Sequence, residues 1–173
     1  MNIITHSLLP VTARQLSELR SPEPSSYRDQ IRGWLLIAVF GSLPDLLDPH
    51  ISLGARCNSY SHMWPCTLIV VSGCLAGALV FRKRRWGHLL LWCAPAYALH
   101  VAGDIVSGGL DFLGTGRALG DWWIPPEAWP AFDLVFITTF ILIHRRVRRR
   151  HGLEPSIVRA FGERLSKRQA GPP

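Results

Sequence analysis

Four long apolar runs, separated by short charged segments, limit most strongly what this chain can fold into. They cover residues 33–47, 63–81, 86–103 and 129–143. The second run, MWPCTLIVVSGCLAGALVF, carries no charge over a length that crosses the hydrocarbon core of a bilayer. The first and fourth runs are short for a span and contain Asp45 and Asp133, so taken alone they are also compatible with buried helices of a soluble protein.

A tryptophan stands at the start of each run, where an aromatic belt at the membrane interface is expected. These residues are Trp34, Trp64, Trp86 and Trp129. The runs and their tryptophans together predict an all-α fold, a polytopic membrane helical bundle with about four transmembrane helices.

Positive charge is concentrated beside the apolar runs. The chain has 19 Lys and Arg against 12 Asp and Glu, a formal net charge of +7. The basic residues collect in 14–32, in 82–85 and from Arg145 onward, which the positive-inside bias places in the cytoplasm. Residues 48–62 and 104–128 then lie on the opposite, outer face. Because membrane topology accounts for the basic segments, no nucleic-acid partner is predicted.

The two ends of the chain differ from its middle. Residues 3–13 are apolar but too short to span, and they predict a re-entrant or interfacial helix that brings His6 to membrane depth. No basic residue precedes this stretch, so it does not resemble a cleaved signal peptide. We expect one membrane-embedded domain over residues 1–150 and a basic, partly disordered cytoplasmic tail over 151–173.

Histidine and aspartate recur in four short clusters. They are THS at 5–7, PDLLDPH at 44–50, YSH at 60–62 and HVAGD at 100–104. Ionisable residues in membrane segments cost several kcal/mol each and seldom occur there without a partner or a function. His100 and Asp104 are four residues apart, so on a helix they share one face. With the predicted topology, these clusters meet at the outer membrane edge.

Mixed imidazole and carboxylate ligands without thiolate suit a divalent metal ion, with zinc favoured and manganese or iron also compatible. The histidines and aspartates suffice for one or two ions, and such ions activate water for hydrolysis. Simpler interpretations stay open. His100 and Asp104 also fit a hydrogen-bonded pair, Asp48 also fits a turn before Pro49, and Asp133 fits either a helix-start carboxylate or a partner of a metal-binding histidine.

The order of these motifs resembles the YdjM-type family of inner-membrane, metal-dependent hydrolases, some of which are described as LexA-regulated. The likeness covers roughly residues 1–126 and includes the segment WWIPP. Where many members show P-D-x-D, this chain has P-D-L-L-D, which displaces Asp48 by one residue. The family resembles, more distantly, zinc-dependent phospholipase C.

The resemblance implies a set of site residues and a location. The metal-binding positions that it implies are His6, Asp45, His62, His100 and Asp104. It also implies a protein of the bacterial inner (plasma) membrane, which the apolar runs predict to be multi-pass and the positive-inside bias predicts to have its C-terminal tail in the cytoplasm.

Residues and resemblance together predict a membrane-bound hydrolase that cleaves a phosphoester of a lipid or lipid-linked substrate through a metal-activated water. Asp48 or His50 is expected to serve as general base or to support a ligand, and Trp122 and Trp123 to line a lipid entrance. Membrane lipid is the expected partner. The alternative is a non-enzymatic membrane bundle that binds metal or takes part in transport.

Overall fold

A computed structural model describes residues 3–21, 26–49, 59–121 and 123–153. Over these residues the chain forms five α-helices, two short 3-10 turns and no strand, so the all-helical prediction is confirmed. The helices are α1 (Ile3–Arg20), α2 (Tyr27–Leu47), α3 (Trp64–Val80), α4 (Arg85–Val106) and α5 (Trp129–Arg150). Predictions for His50, Trp122 and residues 154–173 fall outside the described residues.

The first helix is longer than the apolar pattern predicts. Instead of stopping near residue 13, α1 continues to Arg20 with Pro10 inside it. Arg14 and Glu18 form an ion pair one turn apart at 2.8 Å, and this spacing supports a continuing helix. The polar residues after residue 13 therefore belong to the helix, whereas the prediction from the apolar pattern ended the helix before them.

Contacts at the helix ends fix the direction of each helix. Ser7 at the start of α1 bonds Ser42 near the end of α2, so these two helices are antiparallel. Thr5 meets Asp133 early in α5, so α1 and α5 are parallel. Helices α2 and α4 are parallel to each other, and α1, α3 and α5 are antiparallel to them. The first helix therefore extends along the whole bundle, over about 27 Å at 1.5 Å per residue.

The basic segments meet at one end of the bundle, which we call the basic end. Arg85 at the start of α4 bonds Asp29 at the start of α2 at 2.6 Å. Arg150 at the end of α5 donates to the carbonyl oxygens of Glu18 and Leu19 at the end of α1. The opposite end, where α2 and α4 finish, is called the site end below.

Helix α4 lies at the centre of the packing, against α1, α2 and α3. Its residues Cys93, Ala96 and Tyr97 are fully buried, as is Ile37 of α2. Small residues at helix interfaces let backbones approach closely. Trp34 departs from the predicted aromatic belt, because it is buried and its indole N–H donates to Glu18 at 2.9 Å.

Two segments in the described part of the chain are long and apolar enough to cross a membrane by length and composition. They are Arg85–Val106 and Pro126–Arg150. Helix α3 is apolar but only 17 residues long. Helix α2 carries Arg28, Asp29 and Arg32 in its first two turns. Of the four predicted spans, two therefore meet this test.

Candidate metal centre

Four of the predicted ligand residues come together at the site end. They are Asp45 of α2, His62 of the 3-10 turn before α3, and His100 and Asp104 of α4. One nitrogen or oxygen atom from each lies within 4.8 Å of the others. His62, His100 and Asp104 are at most 1% exposed, whereas the side chain of Asp45 is 22% exposed. The group is therefore closed on the protein side and opens at Asp45.

The distances within the group are close to those between the ligands of one ion. The Nε2 atoms of His62 and His100 are 3.2 Å apart, and each lies 3.2 Å from Oδ2 of Asp104. Each also lies 3.5 Å from Oδ1 of Asp45. Tetrahedral zinc ligands at about 2.0–2.1 Å from the metal lie about 3.3–3.4 Å from one another. The residues therefore fit a single small divalent ion.

His100 is held so that its Nε2 faces the group with a lone pair. Its Nδ1 lies 2.7 Å from the carbonyl oxygen of Gly41. A carbonyl oxygen only accepts, so Nδ1 carries the hydrogen and the neutral ring keeps Nε2 free of one. Metal-binding histidines usually have their other nitrogen fixed in this way.

His62 is oriented by two serines with the same result. Its Nδ1 lies 3.1 Å from the hydroxyl oxygens of Ser59 and Ser61. Ser61 donates to the carbonyl oxygen of Pro44, and Ser59 donates to the carboxylate of Asp48, both at 2.7 Å. Because a hydroxyl has one hydrogen to donate, both serines are left to accept from Nδ1 of His62. Its Nε2 then also presents a lone pair to the group.

When both imidazoles are neutral with the hydrogen on Nδ1, the four facing atoms of the group are all hydrogen-bond acceptors. With both imidazoles neutral, two lone pairs and two carboxylates face one another at 3.2–3.5 Å. Burial alone would lower the pKa of His62, but the carboxylates of Asp104 and Asp45 outweigh it, and the pKa of His62 is raised. The surroundings therefore favour a cation at this point, either a proton or a metal ion.

His6, the fifth predicted ligand, lies beside the four residues. Its Nε2 is 3.1 Å from Oδ1 of Asp104, and its ring stacks on that of His100 with centroids 3.9 Å apart. The neighbouring Thr5 donates to Asp133, so this aspartate contacts the residue next to His6 in the chain. The two oxygens of Asp104 therefore face different histidines, Oδ1 facing His6 and Oδ2 facing His62 and His100.

The other predicted residues take different places. Asp48 ends α2 and contacts Ser59, so it reaches His62 through a serine hydroxyl. His50, the second candidate base, lies outside the described residues. Trp122 does so as well, and Trp123 is 70% exposed.

Sequence reasoning missed the groups that orient the histidines. Ser59 precedes the YSH motif and Ser61 is its middle residue, but serine is too common in loops to indicate a partner for a ring nitrogen. Gly41 was missed because its role uses a backbone carbonyl. A Cβ there would lie 2.5 Å from the carbonyl oxygen of His6, so only glycine permits this approach of α1 to α2.

Comparisons with known protein families, proteins and structures found no match. No protein-family description, curated protein or solved structure matches the chain. The resemblance to the YdjM-type family therefore stays a prediction from the motifs, and the site is interpreted from its own geometry.

Proposed function

We propose that this protein is a membrane-bound, metal-dependent hydrolase that cleaves a phosphoester of a lipid or lipid-linked substrate. The observation that carries the proposal is the group of Asp45, His62, His100 and Asp104, whose four acceptor atoms have the separations of ligands around one ion. A divalent ion in such a group polarises a phosphoryl oxygen and lowers the pKa of water, which is the chemistry of phosphoester hydrolysis.

The residues of the chain have distinct roles in this proposal. His62, His100 and Asp104 hold the ion from the buried side. Asp45, the most exposed of the four, faces the side from which a substrate arrives. Asp48 supports His62 through Ser59, which fits a supporting role better than that of a general base. His6 holds the second oxygen of Asp104 in place or takes part in binding a second ion.

The distribution of polar and apolar residues supports a membrane location. The first helix turns Thr5, Thr12 and Gln15 inward, each at most 5% exposed, while Ile4 and Leu16 face outward. Large apolar side chains elsewhere are 60–76% exposed, namely Leu35, Ile69, Leu79, Val80, Leu134 and Val135. Soluble proteins rarely expose apolar surface on this scale, whereas a bilayer covers it.

The charge distribution supports the predicted orientation. The arginine-rich segments meet at the basic end, which the positive-inside bias assigns to the cytoplasm. The group of Asp45, His62, His100 and Asp104, called the metal group below, lies at the site end. In this proposal it therefore faces the outer leaflet of the inner membrane, with zinc as the favoured ion.

Metal content of the detergent-purified protein tests the proposal. We expect stoichiometric zinc, manganese or iron by mass spectrometry, and its loss in a variant combining Asp45→Ala and His100→Ala. His144→Ala, near the basic end, is the matched control and should keep the metal. Purified protein should also release headgroup or phosphate from phosphoester lipids, and the double variant should not. Folded, monodisperse wild-type protein without metal would contradict the proposal.

A non-enzymatic, metal-binding bundle is the second candidate, and the near-complete burial of three of the four ligands favours it. A structural site is closed, while a catalytic site keeps an open position. The exposure of Asp45 favours the hydrolase. Metal binding without turnover of any phosphoester lipid would favour the second candidate.

A further inference from the structure

A groove of about 460 Å³ runs along the bundle surface between α1 and α2. Its apolar walls come from Ile4 and Leu8 of α1 and from Leu35, Val39 and Leu46 of α2. Leu35 is 62% and Val39 48% exposed, so the groove opens sideways onto the apolar surface. Its volume lies within the range of about 300–1,000 Å³ found for small-molecule sites.

The length of the α2 wall of the groove matches one leaflet of a bilayer. Along α2 the lining residues extend from Leu35 to Leu46, eleven residues or about 16 Å at 1.5 Å per residue, while along α1 they extend only from Ile4 to Leu8. Half of the hydrocarbon core of a bilayer is about 15 Å thick. The Leu46 end lies at the site end of the bundle, so in the proposed orientation the α2 wall spans the outer leaflet.

Polar atoms in the groove occur beside the metal group. The hydroxyls of Ser7 and Ser42 bond to each other within it. Ser42 follows Gly41, whose carbonyl orients His100, and Ser7 follows His6. Asp45 stands one turn beyond Ser42 and directly precedes Leu46. The groove is therefore apolar along most of its length. Asp45 is not one of its lining residues, but it lies one helical turn after Ser42, which is.

We propose that this groove binds one acyl chain of a membrane phospholipid, whose phosphate headgroup would bind to a divalent ion held by Asp45, His62, His100 and Asp104. The inference rests on the proposed function and specifies its substrate as a phospholipid that enters sideways from the outer leaflet. An acyl chain fits because the walls are apolar, the α2 wall has the length of one leaflet, and Asp45 lies one helical turn from Ser42 at the site end of the groove.

Photolabelling tests the inference without depending on turnover. The detergent-purified protein is incubated with phosphatidic acid that carries a diazirine on one acyl chain, and the labelled peptides are mapped. We expect the label on α1 and α2 around Leu8 and Val39, displaced by unlabelled phosphatidic acid. Val39→Trp, which fills the groove, should lower this labelling about tenfold, equivalent to about 1.4 kcal/mol.

Leu134→Trp is the matched control, because Leu134 is 65% exposed on α5, a helix that does not line the groove. It should leave labelling of α1 and α2 unchanged. Ala38→Leu, a smaller change within the groove, should reduce labelling partially and serves if Val39→Trp does not fold. Label spread over the apolar surface and not displaced by unlabelled lipid would overturn the inference.

Metal content, measured on the same samples, separates this inference from the proposed function. Groove labelling by a protein without metal would support the lipid site and contradict the hydrolase. Bound metal with no groove labelling would overturn the lipid site alone.

Discussion

Removing the two serines behind His62 should weaken metal binding without touching a ligand. Ser59 and Ser61 each accept from Nδ1 of His62 at 3.1 Å. In Ser59→Ala or Ser61→Ala one acceptor remains, so the ring keeps its orientation and the loss of affinity is small. In the double variant Nδ1 has neither acceptor, and the hydrogen moves to Nε2, where it blocks metal binding, or stays buried and unbonded.

The magnitude follows from the cost of that buried group. A buried donor left without an acceptor costs about 1–3 kcal/mol. Loss of the groups that orient a metal-binding histidine typically lowers metal affinity about 10–100-fold. We therefore expect the double variant to bind zinc about 10–100-fold more weakly, about 1.4–2.7 kcal/mol. The two single losses should sum to less than this, because either serine can replace the other.

Zinc titration of metal-stripped protein in detergent, against a competing chelator, measures the effect. Ser72→Ala is the matched control, since Ser72 is exposed on α3 and donates only to backbone carbonyls of its own helix. A variant that combines Ser59→Ala with Ser61→Thr keeps one hydroxyl beside Nδ1 of His62 and should bind zinc more tightly than the double alanine variant. Wild-type affinity in the double variant, with its fold intact by circular dichroism, would refute the assignment of the hydrogen to Nδ1 of His62.

Three further predictions address the packing and the ion. Gly41→Ala should destabilise the fold by about 1–3 kcal/mol in thermal melts, because its Cβ would lie 2.5 Å from a carbonyl oxygen of α1, while Gly73→Ala, with open space, should be neutral or stabilising. Zinc at 100 times its Kd should stabilise chelator-treated protein by about 2.7 kcal/mol, and Asp104→Asn should abolish this gain in melting temperature. Trp34→Phe should cost about 1–3 kcal/mol, because it leaves the buried carboxylate of Glu18 without the indole donor, yet metal content should not change.

The sequence predicted the helical class and the grouping of four of the histidines and aspartates better than the helix bounds. The spacing of His100 and Asp104 places both on one helix face, and this holds in α4. The alternation of basic loops brought Asp45 and His62 to the same end of the bundle, and the structure groups all four residues. These inferences needed only helical periodicity and the direction of each helix.

The sequence did not predict which polar and aromatic side chains are buried or which residues they contact. Trp34 fits an interface tryptophan by position, but the carboxylate of Glu18 on α1 draws it into the core. Gln15 and Thr12 read as surface residues by polarity, yet both are buried. Which side of a helix faces inward depends on its neighbours, which the polarity of its own residues does not show.

The acceptor atoms of the metal group repel one another at the site end of the bundle. Contacts at the basic end hold the helices together despite this repulsion. Without a proton or a metal ion between them, the lone pairs of the two imidazoles would lie 3.2–3.5 Å from the two carboxylates, an arrangement that a low-dielectric interior makes costly. At the basic end, Trp34 holds Glu18 and Arg85 holds Asp29, so α1, α2 and α4 are tied together independently of the site. The four side chains can then be positioned before an ion binds, because favourable packing elsewhere in the bundle offsets the electrostatic free energy of bringing them together. A cation that relieves this repulsion gains affinity from it, which is a physical reason for Asp104, at the centre of the group, to be almost fully buried.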